Sequence, residues 1–345
     1  MSLLGAAETL WQTMYDEMPV RIDINHHYLQ TTQLLRCLAE WDSCRQTRGA
    51  AADFEHASEL APLRAAIDSE TSHLIVIPTR ELAAAGLSEH LDRQTASRTT
   101  GCRLHRAEGT SCRSIRSVYL NSCLEPSFVQ PLPDGAILLV DARSRGGPNA
   151  EIWAADGTRL RQGHLGDAIE NVLTTPSGAI WVGYFDEAMG GAGPQVHGLA
   201  RFAPDLEPGW VYPQRADLPP IDDCYALNVA GERAWSCAYT AFHLVAVDND
   251  QAIDYGMAPQ RGAAALLTDG STGAMVGGYG PEYDLVTPFH IVEDRTVTAG
   301  GQCRLVLPDG LEVRERRIYG RGTELHVFIG RSWYRVDLAQ VTRGR

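Results

Sequence analysis

Between Ala168 and Tyr184 the chain alternates in a way that helices do not. Ile169 is followed by the polar pair Glu170-Asn171, then by apolar Val172-Leu173, a Pro176-Ser177-Gly178 turn, and the run Ile180-Trp181-Val182. β-Branched and aromatic residues on both sides of a proline-to-glycine turn predict two antiparallel strands joined by a tight loop. The same grammar returns at Pro133-Asp134-Gly135, which leads into Ala136–Val140 and an outer strand Ala150–Trp153 closed by Asp156-Gly157. After Gly183 the pattern continues through Gly198-Leu199-Ala200-Arg201-Phe202. Tyr225–Val229, a Gly231-Glu232 turn, Ala234–Cys237 and His243–Val247 form a third unit. Ala264–Leu267, a turn at Asp269-Gly270 and Ala274–Gly278 form a fourth. A fifth is expected from Cys303–Leu307, a Pro308-Asp309-Gly310 turn, Leu325–Ile329 and Trp333–Val336.

Corresponding turns recur at roughly 40 to 50 residues, the spacing of a four-stranded blade. Further strands at 72–78 and 116–120 would supply one or two more units, so the expected fold is all-β, a β-propeller of about six or seven four-stranded blades. A two-sheet sandwich is the competing architecture, but it does not call for the same turn-strand-turn-strand order so often. Residues 1–70 read differently. Leu3, Leu4, Leu10, Trp11 and Met14, then Tyr28, Leu29, Leu34, Leu35, Leu38 and Trp41, fall at helical spacing, and Glu59–Ile67 suggests a third short helix. The expected organisation is a helical N-terminal accessory region over 1–70 and the propeller over 71–345.

The segment Ile169–Gly183 with Gly198–Phe202 resembles the two-component-regulator type of propeller repeat, through its Trp-Val-Gly strand and later Gly-Leu-x-Arg-Phe strand. Asn149–Tyr239 is also similar to a group of uncharacterised propeller-like proteins of actinobacteria. These resemblances imply the fold and carry no catalytic motif with them. Fold alone leaves function open, since propellers host many unrelated activities.

Composition narrows the classes. A net charge of −13 over 345 residues argues against nonspecific nucleic-acid binding and against an anionic membrane surface. No apolar run approaches the roughly 20 residues of a membrane span, and no secretory leader pattern opens the sequence, so a cytoplasmic protein is expected. All 30 basic residues are arginine. Without lysine there is no internal aldimine, no Schiff-base aldolase and no phosphate-loop lysine. The eight cysteines lack metal or framework spacing and are expected to be free thiols, Cys224 and Cys237 being the pair that a hairpin would bring together.

Candidate chemistry falls where loops enter the first strand of each blade. Asp167, Glu170 and Asn171 lie at one such entry, Asp222, Asp223 and Tyr225 at the next, and Arg261 at a third. Glu170, Asp222 and Asp223 are the candidates for acid-base catalysis, and Glu170, Asn171 and Asp223 for a hard-cation site that would take Ca²⁺ or Mg²⁺. Turn capping and solvation are the simpler uses of the same residues. Asp167, Asn171, Tyr225, Arg261, Tyr184 and Tyr279 are candidate ligand contacts. The last two tyrosines belong to the glycine-rich insertions Tyr184–Pro194 and Gly277–Asp284, which follow corresponding strands of two blades. His26-His27 beside Asp23 and Asn25 reads as a capped helix start. His164, His197, His243 and His290 read as structural hydrogen-bonding groups. Six arginines between Arg93 and Arg116 reverse the local charge and read as a solvated face or an anion contact. No cofactor is required by any of these features. The expected function is a propeller-based module that binds a protein or a small ligand at one mouth. The alternative is a hydrolase or lyase acting on a small polar substrate with channel carboxylates, with or without a metal.

Overall fold

The computed structural model describes the strands Arg64–Ile67, Ser72–Pro78 and Cys102–Glu108, and the chain from Ile115 to Thr342 except residues 121–122, 125, 145, 191, 293–294, 307–315 and 330–331. The expected helices between residues 1 and 63, including Trp11, Met14, His26, His27 and Trp41, lie outside the described residues. So does the Pro308-Asp309-Gly310 turn.

The fold is an all-β propeller built from up-and-down antiparallel sheets. The first sheet joins β1 (Arg64–Ile67), β2 (Ser72–Pro78), β3 (Cys102–Glu108) and β4 (Ile115–Leu120). The second joins β5 (Phe128–Pro131), β6 (Ile137–Val140), β7 (Ala150–Trp153) and β8 (Arg159–Gly163). The third joins β9 (Ile169–Thr174), β10 (Ile180–Tyr184), β11 (Leu199–Phe202) and β12 (Pro208–Val211). The fourth joins β13 (Ile221–Ala230), β14 (Arg233–Thr240), β15 (His243–Asp248) and β16 (Gln251–Met257). The fifth joins β17 (Ala265–Thr268), β18 (Thr272–Val276), β19 (Leu285–Ile291) and β20 (Val297–Ala299), with β21 (Cys303–Arg304) added on β19. β22 (Arg316–Arg321), β23 (Glu324–Ile329) and β24 (Ser332–Asp337) make a three-stranded sheet, followed by the short helix α1 (Leu338–Thr342). Five four-stranded blades are therefore present among the described residues, fewer than the six or seven expected.

Two expectations change. Arg64–Ile67, read as the end of a helix, is a strand whose four residues pair with Val76 to His73. Backbone pairing overrides the local helical preference of Arg-Ala-Ala-Ile there. Cys303, expected to open the fifth unit, instead pairs with Val286 in the preceding sheet. It is tethered there because Leu305 N–H donates to the Asp284 carbonyl, and Arg304 reaches both the Pro281 carbonyl at 3.0 Å and the buried Asp284 carboxylate.

The chain divides into two compact units, with the boundary between Val211 and Tyr212. In the preceding unit the core gathers Leu138, Val140, Ile152, Ile169, Val172, Ile180, Val182, Tyr184 and Phe202. The Trp-Val-Gly and Arg-Phe signatures of the repeat have a physical basis here. Trp181 is directly opposite Arg201 in register, and the guanidinium lies 5.6 Å from the indole centroid, covering a ring that is 1% exposed. Asn149, 2% exposed, stitches this unit locally. Its amide donates to the carbonyls of Asp141 (3.0 Å) and Gly166 (2.8 Å), and its oxygen accepts from Leu165 N–H (2.9 Å).

In the following unit Asn228 is wholly buried and reaches across three sheets. Its amide donates to the Leu266 carbonyl of β17 (2.7 Å) and the Gly322 carbonyl (2.8 Å), in the turn between β22 and β23, while its oxygen accepts from Gly322 N–H (2.7 Å). The approach is close. A Cβ at Gly320 would stand 2.2 Å from the Leu266 carbonyl oxygen, so only glycine fits at that position in β22. Cys224 and Cys237 are both buried thiols that form no disulfide with each other; Cys224 Sγ meets Ser236 Oγ at 3.3 Å, and burial pushes the Cys237 thiol up to about 12.

Candidate functional site

The candidate residues fall into two groups, one in each unit. In the unit that ends at Val211, the entry to β9 holds Asp167, Glu170 and Asn171. Asn171 pairs with Gly183 and Ile169 with Tyr184, so Glu170 is the extra residue of a β-bulge. The bulge aims its carboxylate outward, and Glu170 is exposed. Asp167 lies just before the strand and binds the 142–147 loop. One oxygen accepts Ser144 N–H at 2.7 Å, and the other lies 3.3 Å from Arg143. Arg143 is also hydrogen-bonded to Glu187 of the first glycine-rich insertion and lies 5.4 Å over the Phe185 ring. The Glu187 hydrogen bond, more than the surrounding carboxylate charge, holds the guanidinium pKa above its ordinary value.

Ser144 and His164 meet in this corner, a pairing not visible from their sequence positions. Ser144 Oγ is 2.6 Å from His164 Nε2, which superficially matches a nucleophile beside its base. The rest of the ring excludes it. Gly166 N–H donates to Nδ1 at 3.2 Å, so in the neutral imidazole the proton sits on Nε2 and points at the serine. Ser144 in turn donates to the Gly147 carbonyl at 3.3 Å. A base able to take the serine proton needs a bare Nε2. The arrangement ties loops together, as expected for His164. Tyr184 likewise is a core residue: it is fully buried and its hydroxyl donates to the Leu165 carbonyl, with burial holding the phenol far above the usual range. Glu151, another buried carboxylate, is engaged by Leu124 N–H, Trp153 Nε1, Gln162 and Arg159.

In the unit that starts at Tyr212, the entry to β13 uses the same device twice. Ile221 pairs with Thr240, Asp223 with Tyr239 and Ala226 with Cys237, so two bulges fall within six residues. Asp222 is the extra residue of the first, and it accepts from Thr240 Oγ1 at 3.0 Å. The second re-aims Tyr225 onto Tyr239, whose ring stacks 5.8 Å away with planes 17° apart. Phe242 stands edge-on to both, at 6.2 and 5.6 Å, and Tyr279 stands edge-on to Tyr225 and Phe242, at 6.1 and 6.3 Å. The geometry is that of mutually favourable aromatic quadrupoles.

Two of the rings are fixed from behind. Phe242 takes φ 52°, a left-handed conformation unusual for an aromatic residue, and is held by backbone bonds from its N–H to Ala238 and from Ala258 N–H to its carbonyl. Tyr279 lies against Gly262, where a Cβ would come within 2.7 Å of the ring. Arg261 lies 5.9 Å over the Phe242 ring. Tyr239 and Tyr279 are 39% and 50% exposed, whereas Phe242 is 9% exposed. Partial burial, the hydrogen bond with Tyr225 and then the nearby Tyr239 and Asp223 charges hold the Tyr279 phenol well above its usual range. It is therefore neutral in any physiological medium.

The structure thus brings together five sequence candidates, Asp222, Asp223, Tyr225, Arg261 and Tyr279. It adds Tyr239 and Phe242, two aromatics on either side of Thr240-Ala241 that no motif singles out. Among the described residues no group of three or more His, Cys, Asp or Glu side chains is close enough to share a metal ion. No described helix is long and apolar enough to cross a membrane. His243 Nδ1 contacts both oxygens of Asp254 at 2.9 Å, and Gly256 N–H donates to the same carboxylate.

No family model matches the chain, and no curated protein matches it. Among solved structures it is similar to one titled as a nidogen/laminin complex, at 8% identity and TM-score 0.45, over 78% of this chain and 85% of that one. A Bacteroides thetaiotaomicron protein of unknown function matches at 11% identity and TM-score 0.45, over 81% and 70%. A Xanthomonas campestris protein titled as a gluconolactonase matches at 12% identity and TM-score 0.40, over 85% and 98%.

Proposed function

We propose that this chain is a propeller-based binding module whose ligand meets the tyrosine cluster of the unit beginning at Tyr212. The observation that carries the reading is the half-exposure of Tyr239 and Tyr279 on a base of Tyr225 and Phe242 that packing and backbone bonds hold in place. Tyrosine offers a large contact area with few rotatable bonds, so little conformational freedom is lost when a ligand settles on it. Asp222, Asp223 and Arg261 surround the rings and supply polar contacts. The cluster contains no activated nucleophile, and the serine-histidine pair elsewhere in the molecule is in the wrong tautomer for one.

The test is a ligand screen on the full chain by thermal shift and calorimetry, run beside a Tyr239→Ala/Tyr279→Ala variant. A ligand whose affinity falls at least about tenfold in the variant, at unchanged melting temperature, supports the reading. Ligands that bind both proteins equally would remove the cluster from the binding surface.

A further inference from the structure

The same cluster carries information about its ligand, on the assumption that the binding role proposed above holds. We propose that the partner is a polypeptide segment that lays arginine side chains on the exposed faces of Tyr239 and Tyr279. The cluster already accepts a guanidinium of its own, that of Arg261 on Phe242. Elsewhere in this unit Arg233 covers Trp235 at 5.7 Å and Arg316 covers Tyr283 at 5.1 Å, so a planar cation on an aromatic face is the recurrent solution here.

Charge points the same way. Asp223 is opposite Tyr239 in register and acts on Tyr279, Asp222 is anchored to Thr240, and Glu282 belongs to the same short turn as Tyr279. Among the described arginines Arg261 lies over the cluster itself, while Arg304 and Arg316 are engaged with the neighbouring Pro281, Asp284 and Tyr283. The chain as a whole carries −13, which draws a basic partner toward the surface. Met257, 53% exposed, is opposite His243 in register, one residue from Phe242 in sequence.

A polypeptide is favoured over a small free cation by magnitude. One cation over one exposed ring improves affinity only about two- to fivefold, so useful binding needs several contacts made together. Arginine is favoured over lysine because the guanidinium stacks flat while bonding a carboxylate at its edge.

The experiment is fluorescence anisotropy on the full chain with four labelled probes: an arginine-glycine repeat peptide, its lysine and glutamate counterparts, and a neutral oligosaccharide. The arginine peptide is expected to bind, about threefold or more tighter than the lysine peptide. Its affinity should drop at least about tenfold in Tyr239→Ala/Tyr279→Ala and several-fold in Asp222→Asn/Asp223→Asn. Tyr239→Phe/Tyr279→Phe keeps both π faces and should retain most of the binding, which guards against an alanine variant that merely unfolds. If the glutamate peptide or the oligosaccharide binds instead, with the same dependence on the tyrosines, the arginine assignment fails and the binding role stands. Arginine-peptide binding that ignores the tyrosine substitutions also overturns the assignment, as attraction to an acidic surface alone. If no probe and no screened ligand depends on the cluster, both fail.

Discussion

The entries to β9 and β13 are built by one device and put to different ends. Each carries a β-bulge near the start of the first strand of its sheet, and each bulge turns a carboxylate outward: Glu170 in one, Asp222 in the other. Around β9, Asp167, Arg143, Ser144, His164 and Glu187 satisfy one another, and the neighbouring tyrosine, Tyr184, is sealed in the core. Around β13, Tyr239 and Tyr279 stand half-exposed beside Tyr225 and Phe242. The lesson is that a carboxylate at a bulge does not define a binding surface; what surrounds it does. A polar corner whose hydrogen bonds are already made has little to gain from a ligand, whereas a fixed, half-exposed ring does.

The comparison can be broken most forcefully at the two buried asparagines. Asn228→Ala removes an amide that serves β17 and the Gly322 turn, and should cost about 3 kcal/mol or more in urea unfolding, since it strands several buried backbone groups. Asn149→Ala removes an equally buried amide with local partners, and about 2 kcal/mol is expected. Equal losses would mean that span across sheets adds nothing.

Acid should separate the units further. His326 is fully buried in the unit beginning at Tyr212, and burial, outweighing the nearby Glu324, depresses its pKa below the ordinary 6.5. The unfolded chain then binds a proton that the folded chain refuses, so the contribution is intact above about pH 6.5 and is lost as pH falls below it. Stability should decline there by at most about 1.4 kcal/mol per pH unit from this residue, with a shallower slope in His326→Gln. Identical slopes in the two proteins would assign the acid sensitivity elsewhere.

Smaller effects sharpen the contrast at the sites themselves. Tyr184→Phe loses one buried hydroxyl bond to Leu165 and should cost about 1 kcal/mol, a core effect, whereas Tyr279→Phe on the exposed cluster should change stability by less than about 0.5 kcal/mol. Arg143→Ala breaks only exposed pairs, so salt screening leaves a loss within about 0.5 kcal/mol at physiological ionic strength. A larger loss would show that the polar corner supports the fold more than its exposure implies.

How far the sequence reveals these features depends on burial. Inner and middle strands such as β10 and β14, rich in buried Trp, Val and Ala beside glycine turns, stand where the pattern predicts. The outer strand β8, Arg159–Gly163, is exposed along almost its whole length and carries no period to read. Cys303 departs from its expected sheet because its place is fixed through the distant Asp284, which Arg304 and Leu305 N–H both engage. Asp222, Asp223, Tyr225, Arg261 and Tyr279 were legible as loop-end residues. Tyr239 and Phe242 were not, because their membership depends on a cross-strand register and a left-handed turn that no local pattern announces. Ser144 and His164 meet across two loops and leave no spacing signature.

Asn228 has a further consequence in time. Its partners lie 38 and 94 residues away along the chain, so the bonds with Gly322 wait until β22 and β23 have arrived. Contacts that close such long loops form late, after most of their entropy cost has been met. Removing the amide should therefore leave refolding almost as fast as before and make unfolding faster, so that the asparagine acts as a latch on the finished structure and not as a guide toward it.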